Sequence, residues 1–268
     1  MKSLLLSLIV CVLTQSSAIA QNIESDLDDA VTNLNSALDQ LNTNDPQSKS
    51  TLQQSAAKIE QVIDTYGVQS PGLYHALGNA YMLQGDTGNA VLSYRRGEIL
   101  DPTNKELHHS LNFARSSIST QIDPSVSNKL WNLILIWRGS VSRYHLTILF
   151  VVLFTTGWIT LAGRATRLLP KAFFHFGFGL ILISILPLFM LGSDWYYTHS
   201  ANSAIITQSE TNARTGPDDS VYGLVYEEPL DPGLEIRVIE SRDGWSHAKL
   251  MDGSQCWIRN TDFEYVSQ

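Results

Sequence analysis

The chain has 268 residues and a formal net charge of −8 at pH 7, which leaves room for two small domains. No acidic residue lies between Asp123 and Asp194, so the acidic excess belongs to the two flanking regions. This balance argues against nucleic acid as a partner, because binding to phosphates needs basic surfaces. The sequence contains no phosphate-binding loop, metal-spaced His/Cys/Asp cluster or nucleophile elbow, so we predict no cofactor, no metal and no catalytic residue.

Residues 1–20 are predicted to be a secretory signal peptide. A lysine precedes an apolar stretch from Leu4 to Leu13, and Ala18-Ile19-Ala20 has the small-x-small pattern of a signal-peptidase site. Cleavage would leave Cys256 as the single thiol of the mature chain, which cannot form an internal disulfide. The alternative is a retained anchor helix, for which the apolar stretch is short.

Residues 21–123 are predicted to be all-α. Within them, the window 71–104 resembles a tetratricopeptide repeat, a pair of helices that recurs roughly every 34 residues. The residues that carry the resemblance are Tyr74, Leu77, Gly78, Tyr81, Ala90, Tyr94, Gly97 and Pro102. Ala56 lies one period before Ala90 and Leu111 one period after Leu77, which indicates a weaker repeat on each side. One repeat cannot bury its own apolar faces, so such neighbours are required.

Three glycines interrupt this repeat, and each has an expected role. Gly78 is expected where the two helices touch, since only a small residue fits there. Gly85 suits the left-handed residue that ends the first helix, and Asp86 or Thr87 can cap the second. Gly88 lies in the first turn of the second helix, so its replacement by alanine is expected to be neutral or mildly stabilising.

The resemblance implies a concave surface that binds protein segments. Three side chains of the first helix share one helical face, and the next helix adds two at corresponding positions. These predicted groove residues are His75, Asn79, Met82, His109 and Phe113. The alternative is a solvated face on which Phe113 only covers the end of the array.

Two stretches are apolar enough to cross a bilayer, residues 144–162 and residues 172–192. A juxtamembrane segment, 124–143, precedes them, and a basic loop, 163–171, separates them. The positive-inside rule places this loop in the cytoplasm, so both flanking regions would lie in the periplasm. The residues that determine this topology are Arg164, Arg167 and Lys171. A cleaved signal peptide would also place the N-terminal region in the periplasm.

In residues 200–268 the sequence pattern predicts short β-strands separated by turns. Asp252-Gly253 is the strongest hairpin signal among these turns. The stretch resembles a bacterial SH3-like barrel, an all-β domain. The motif residues are Asn212, Arg214, Gly216, Pro217, Gly244, Trp245 and Trp257. The family usually has a glycine where this chain has Cys256.

Aromatic side chains line the ligand groove of many SH3-like barrels, and the candidates here are Tyr222, Tyr226 and Trp245. The alternative is that Trp245 and Trp257 form most of the core of so small a domain. Cys256 and His247 also suggest a thiol hydrolase, because an activated cysteine needs a nearby base. This interpretation is weak, since no helix N-terminus lies near the thiol to lower its pKa.

The order of the parts resembles the BatE-like proteins of the Bacteroides aerotolerance group. The resemblance implies a multi-pass protein of the bacterial inner membrane that works with von Willebrand A-domain membrane proteins and a MoxR-type ATPase. Its expected role is envelope maintenance or oxygen and stress tolerance. We therefore expect a non-enzymatic adaptor that binds protein partners in the periplasm. The alternative is a cell-wall protein whose SH3-like domain binds peptidoglycan.

Overall fold

The computed structural model describes residues 48–119, 141–166, 172–199 and 202–267, together with a few single positions between and before these ranges. The predicted signal peptide and nearly all of the predicted juxtamembrane segment lie outside the described residues. Arg167 and Lys171 of the basic loop lie outside them as well, whereas Arg164 falls in the last turn of a helix.

Residues 48–119 form four helices, which we call the helical unit. They are α1 (Ser48–Tyr66), α2 (Pro71–Gln84), α3 (Thr87–Leu100) and α4 (Lys105–Ser116). Each of the last three begins after a side chain that accepts a hydrogen bond from the backbone N–H three residues further on, and these caps are Ser70, Asp86 and Asn104. Consecutive helices pack against each other, which confirms the predicted all-α character of this region.

The roles predicted for Gly78 and Gly85 are confirmed. A Cβ atom added at Gly78 would lie 2.4 Å from the ring of Tyr94, and Tyr94 itself is only 2% exposed. The two helices α2 and α3 therefore touch at a position that admits no side chain. Gly85 ends α2 with a φ of 83°, a left-handed conformation that glycine adopts without a steric penalty.

Gly88 lies in the first turn of α3 as predicted, but the expectation that alanine is tolerated there is contradicted, because residues from the C-terminal part of the chain lie against this turn. A Cβ atom at Gly88 would lie 2.9 Å from the Cα atom of Thr207 and 3.0 Å from the carbonyl oxygen of Ile206. Both neighbours are backbone atoms, which cannot rotate away as a flexible side chain can. The first turn of α3 is therefore pressed against the C-terminal part of the chain.

Gly88→Ala is accordingly expected to destabilise the protein by about 1–3 kcal/mol, the usual cost of overpacking. The measurement is denaturant unfolding of the full chain in detergent micelles, followed by circular dichroism. Gly72→Ala is the matched control, because Gly72 also lies in a first helical turn and the nearest atom to its added Cβ is 4.0 Å away. Equal stability of the two variants would contradict the contact.

Two further helices are long and apolar enough to cross a membrane by length and composition. They are α5 (Arg143–Ala165) and α6 (Ala172–His199), in which Phe173–Ser193 is the apolar part. They pack against each other and come close at Gly157, whose added Cβ would lie 3.0 Å from the carbonyl oxygen of Gly177. Small residues allow this close approach of two helix backbones. The expectation of two apolar helices of membrane-spanning length is confirmed.

Residues 202–267, which we call the sheet unit, form one antiparallel sheet. Its strands are β1 (Ser203–Ile206), β2 (Glu235–Arg242), β3 (Trp245–Lys249), β4 (Gln255–Arg259) and β5 (Phe263–Tyr265), in the order β4-β3-β2-β1-β5. Positive φ angles at Asp243 and Gly244, 50° and 84°, make the tight turn between β2 and β3. The predicted all-β character is confirmed.

The sheet is not closed into a barrel, which differs from the expectation. Its edge strands are β4 and β5, and the long connection from β1 to β2 forms only isolated bridges. One of these bridges covers the outer edge of β4, where the backbones of Arg214 and Trp257 exchange hydrogen bonds of 2.9 and 2.8 Å. The connection protects an edge without adding the strand that closure needs.

Aliphatic residues, rather than tryptophans, fill the core of the sheet unit. The buried side chains include Ile206, Leu230, Leu234, Ile236, Val238, Cys256, Ile258 and Phe263. Trp245 and Trp257 are only half-buried and do not belong to this core. The alternative in which these two indoles form most of the core is therefore wrong.

The helical unit and the sheet unit share a second apolar core. Ile205 of β1 and Val266, just after β5, are buried together with Val91 of α3 and with Leu107 and Leu111 of α4. The strands thus cover a helix surface that would otherwise face water. The two units are consequently packed as one body, although the apolar helices α5 and α6 lie between them in the chain.

Candidate functional site

The predicted protein-binding face contains a hydrogen-bond network that joins α2, α3 and α4. The Nε2 atom of His75 lies 2.9 Å from Oγ of Ser110, and the phenol of Tyr94 donates to Oδ1 of Asn79 at 2.8 Å. Burial raises the pKa of Tyr94 to about 12, so the phenol keeps its proton at neutral pH. His75 and Asn79 are therefore already engaged in holding the helices together.

The remaining three groove residues divide by exposure. Met82 is half-buried and packs against the apolar core of α3 and α4. His109 is exposed, and Phe113 is 59% exposed one turn further along α4. Two of the five predicted residues are thus exposed to a partner. The other three are half-buried and contact neighbouring helices.

The three aromatic candidates of the sheet unit do not line one groove. The ring of Tyr222 packs over Gly216, where an added Cβ would lie 2.5 Å from it. Tyr226 is half-buried, and its hydroxyl lies 2.7 Å from Oγ of Ser254. Of the three, only Trp245 lines the largest cleft that we describe in this unit.

This cleft has a volume of about 620 Å³ and lies where the turn after β1 meets β3 and β4. Its walls are mainly polar, and the charged or aromatic members are Glu210, Arg214, Asp219, Trp245, Arg259 and Asp262. The motif Asn212–Pro217 contributes Arg214, which the sequence had already singled out. Asp219 and Arg259 were missed.

The hairpin signal could have identified Arg259 only with the correct turn length. A two-residue turn at Asp252-Gly253 would pair Trp245 with Asn260, whereas the observed turn has three residues and pairs Trp245 with Arg259 across β3 and β4. The guanidinium carbon of Arg259 lies 5.5 Å from the centroid of the Trp245 ring, within the range of a cation–π contact. Asp219 gives no comparable signal, because it lies in an irregular loop.

Cys256 and His247 are not brought together as a catalytic pair. Cys256 pairs with Ala248 and is 1% exposed, whereas His247 pairs with Trp257 and stacks on its ring at a centroid distance of 5.0 Å. Because successive side chains of a strand point to opposite faces, the thiol and the imidazole lie on opposite sides of the sheet. Burial, with a smaller contribution from Asp252, raises the pKa of Cys256 to about 12. The thiol is therefore protonated at neutral pH.

A buried ion cluster joins the helical unit to the sheet unit. The carboxylate of Glu235, on β2, accepts a hydrogen bond of 2.9 Å from Nε of Arg115 and lies 3.3 Å from Nε of Arg95. Arg95 also forms an ion pair with Glu98, and Nδ1 of His108 lies 3.5 Å from the Glu98 carboxylate. The side chains of Arg95 and Glu235 are only 5% and 13% exposed.

The ionised form of Glu235 is strongly favoured in this cluster. Burial by itself would raise the pKa of this carboxyl, but Arg115 and Arg95 outweigh burial and hold the pKa at about 2. The pKa of Glu98 is also lowered, because Arg95 and Arg115 overcome the effects of burial and of the neighbouring Glu235. Sequence reasoning missed this cluster, since Glu235 lies 120 residues from Arg115.

No protein-family model, curated protein or solved structure matches this chain. The resemblances to tetratricopeptide repeats, SH3-like domains and BatE-like proteins therefore depend only on the residues quoted for them.

Proposed function

We propose that the protein is a non-enzymatic adaptor, anchored in a bacterial inner membrane, that binds protein partners in the periplasm through its helical unit. The resemblance to BatE-like proteins suggests von Willebrand A-domain membrane proteins as partners. It also suggests a role beside a MoxR-type ATPase in envelope maintenance or oxygen and stress tolerance. The tetratricopeptide motif supports the same class of function, since stacked helix pairs of that family bind protein segments.

The observation that carries this proposal is the exposure of Phe113. Among the described residues of the helical unit, it is the most exposed large hydrophobic side chain. His109 lies one turn before it, and the network of His75 and Ser110 fixes α4 against α2 beneath the same face. An aromatic anchor on a rigid surface is the usual centre of a protein-binding hot spot.

The packing of the two units supports the proposed topology. Because the helical unit and the sheet unit contact each other directly, they have to lie on the same side of any membrane that α5 and α6 cross. The connection between α5 and α6 then lies on the opposite side. Its cations assign that side to the cytoplasm by the positive-inside rule, which leaves both units in the periplasm.

The test is a change of the exposed residues alone. Phe113→Ala with His109→Ala is expected to reduce co-purification of von Willebrand A-domain partners from native membranes sharply, since each hot-spot side chain contributes about 1 kcal/mol or more. Asn79 is left unchanged, because its loss would remove the partner of the Tyr94 hydroxyl.

Asn112→Ala is the matched control for this test. Asn112 is also exposed on α4, but it lies about 100° around the helix from Phe113. Unchanged capture of these partners by a correctly folded double variant would refute the adaptor function at this face.

A second candidate function is binding of peptidoglycan by the sheet unit, and the cleft beside Trp245 favours it. The test uses the full chain in detergent with purified peptidoglycan. The isolated sheet unit is unsuitable, because it would expose Ile205, Val266 and Glu235. Binding that is lost in Trp245→Ala but kept in the helical double variant would support this candidate over the adaptor.

A further inference from the structure

One carboxylate of the protein's own chain lies in the cleft between two arginines. Oδ1 of Asp219 is 2.8 Å from Nε of Arg214, and its other oxygen forms an ion pair with Arg259. Asp219 belongs to a loop and keeps 41% of its side chain exposed. The arginines, in contrast, come from a segment paired with β4 and from β4 itself.

We propose that this cleft binds the terminal carboxylate of a peptide, and that Asp219 holds the place of that carboxylate in the free protein. This site is separate from the helical face, and the proposal does not depend on the adaptor function. The proposed ligand of the sheet unit is thus a peptide with a free C-terminal carboxylate. The side chain of Asp219 would compete with that carboxylate for the two arginines.

The two arginines differ in a way that suits such a site. Arg214 is only 17% exposed, and its Nη1 donates to the carbonyl oxygen of Tyr222 at 2.8 Å, so its position is fixed before a ligand arrives. Arg259 is 55% exposed and lies against the ring of Trp245. One half-buried and one exposed guanidinium can together hold both oxygens of a carboxylate, for which their planar donor groups are well matched.

The rest of the cleft indicates a peptide rather than another anion. A volume of about 620 Å³ is far larger than a single carboxylate needs, so several residues can enter. The carboxylates of Glu210 and Asp262, on the same walls, can accept hydrogen bonds from peptide N–H groups. They would also repel a multiply charged anion such as phosphate. The indole of Trp245 offers an apolar surface for a side chain.

Asp219 is positioned to leave without unfolding its loop. The preceding residue, Asp218, accepts hydrogen bonds from the backbone N–H groups of Ser220 and Val221, at 2.7 and 3.0 Å, and these hold the turn. The ion pairs of the Asp219 side chain with the two arginines are separate from these turn contacts. An incoming carboxylate can thus replace it while the turn stays formed.

The experiment measures binding of a fluorescently labelled tripeptide with a free C-terminal carboxylate to the full chain in detergent micelles, by fluorescence anisotropy. Asp219→Asn is expected to bind about twofold to fivefold more tightly than the natural chain, because an exposed ion pair no longer competes. Arg259→Gln is expected to weaken binding about tenfold, since a charged hydrogen bond is lost. The same peptide with an amidated C-terminus is expected to bind none of these three proteins.

Asp243→Asn is the matched control for charge. Asp243 lies near the same Trp245 and its change removes one negative charge, but its ion pair is with Arg242. Equal tightening by Asp243→Asn and Asp219→Asn would overturn the proposal, as would binding of the amidated peptide or no binding to Asp219→Asn. Purified peptidoglycan is the second arm of the test. Competition by peptidoglycan against the labelled peptide would identify the cell wall as the source of the carboxylate, and its absence would leave protein C-termini.

Discussion

Glu235→Ala is expected to lower the free energy of unfolding by about 3–5 kcal/mol, the usual cost of breaking a buried ion pair by removing one partner. The change would remove the carboxylate that Arg115 and Arg95 share at the boundary between the two units. The measurement is denaturant unfolding of the full chain in detergent micelles. Hydrogen exchange of the β1 and α4 amides would show whether the units separate.

Glu240→Ala is the matched control, because Glu240 is exposed on the same strand and pairs only across the sheet with His247. Its effect on the free energy of unfolding is expected to stay within about 0.5 kcal/mol, as for most surface substitutions. Similar losses in the two variants would show that the cluster does not hold the units together.

The pH dependence of the free energy of unfolding gives a second test of the contribution of Glu235 to stability. The pKa of Glu235 falls from 4.5 to about 2 on folding, so the folded state favours the ionised carboxylate. This contribution is fully present above pH 4.5 and is lost as the pH falls towards about 2. It amounts to about 3 kcal/mol. Glu235→Gln is therefore expected to flatten the acid limb of the stability profile, and an unchanged profile would contradict this account.

Substitution of Gly78 by leucine is expected to have the second largest effect. Gly78→Ala should destabilise the protein by about 1–3 kcal/mol, because the new Cβ would meet the ring of Tyr94. Tyr94 cannot swing aside easily, since it is 2% exposed and its hydroxyl donates to Asn79. Gly78→Leu should cost more than Gly78→Ala. Thermal unfolding followed by circular dichroism measures both.

Tyr94→Phe separates overpacking from loss of the hydrogen bond. This variant keeps the ring beside Gly78 but removes the hydroxyl that Asn79 accepts from, so it should cost only about 1 kcal/mol. Combining Gly78→Ala with Tyr94→Leu should recover part of the stability, because the ring that clashes is then absent. Additive losses in the double variant would mean that the two residues do not meet.

The features that the sequence predicted are those set by short stretches of chain. The conformation of Gly85 and the cap at Asp86 depend on residues within one helical turn. The apolar helices α5 and α6 follow from runs of apolar residues long enough to span a bilayer. The turn between β3 and β4 follows from Asp252-Gly253, although the turn has three residues and its register is therefore one residue away from that of a two-residue hairpin.

The features that the sequence did not predict depend on residues far apart in the chain. Gly88 lies against the backbone of Thr207, and no sequence motif around either residue indicates this contact. The cluster around Glu235 combines a strand residue with arginines of two helices, each of which alone is typical of a solvated surface. The open sheet depends on how the connection from β1 to β2 folds, and that connection has no regular periodicity.

The docking of β1 and β2 against α3 and α4 also has a consequence for biosynthesis. The helical unit leaves the ribosome first, and its apolar surface around Val91 and Leu107 stays uncovered until the strands arrive. If α5 and α6 cross a bilayer, as we propose, those strands reach the side of the helical unit only after both helices have crossed. A chain in which only one of these two helices crossed would leave the helical unit and the sheet unit on opposite sides of the membrane. Arg95 and Glu235 could then not form their ion pair. Completion of this junction therefore distinguishes a correctly threaded molecule from a misthreaded one.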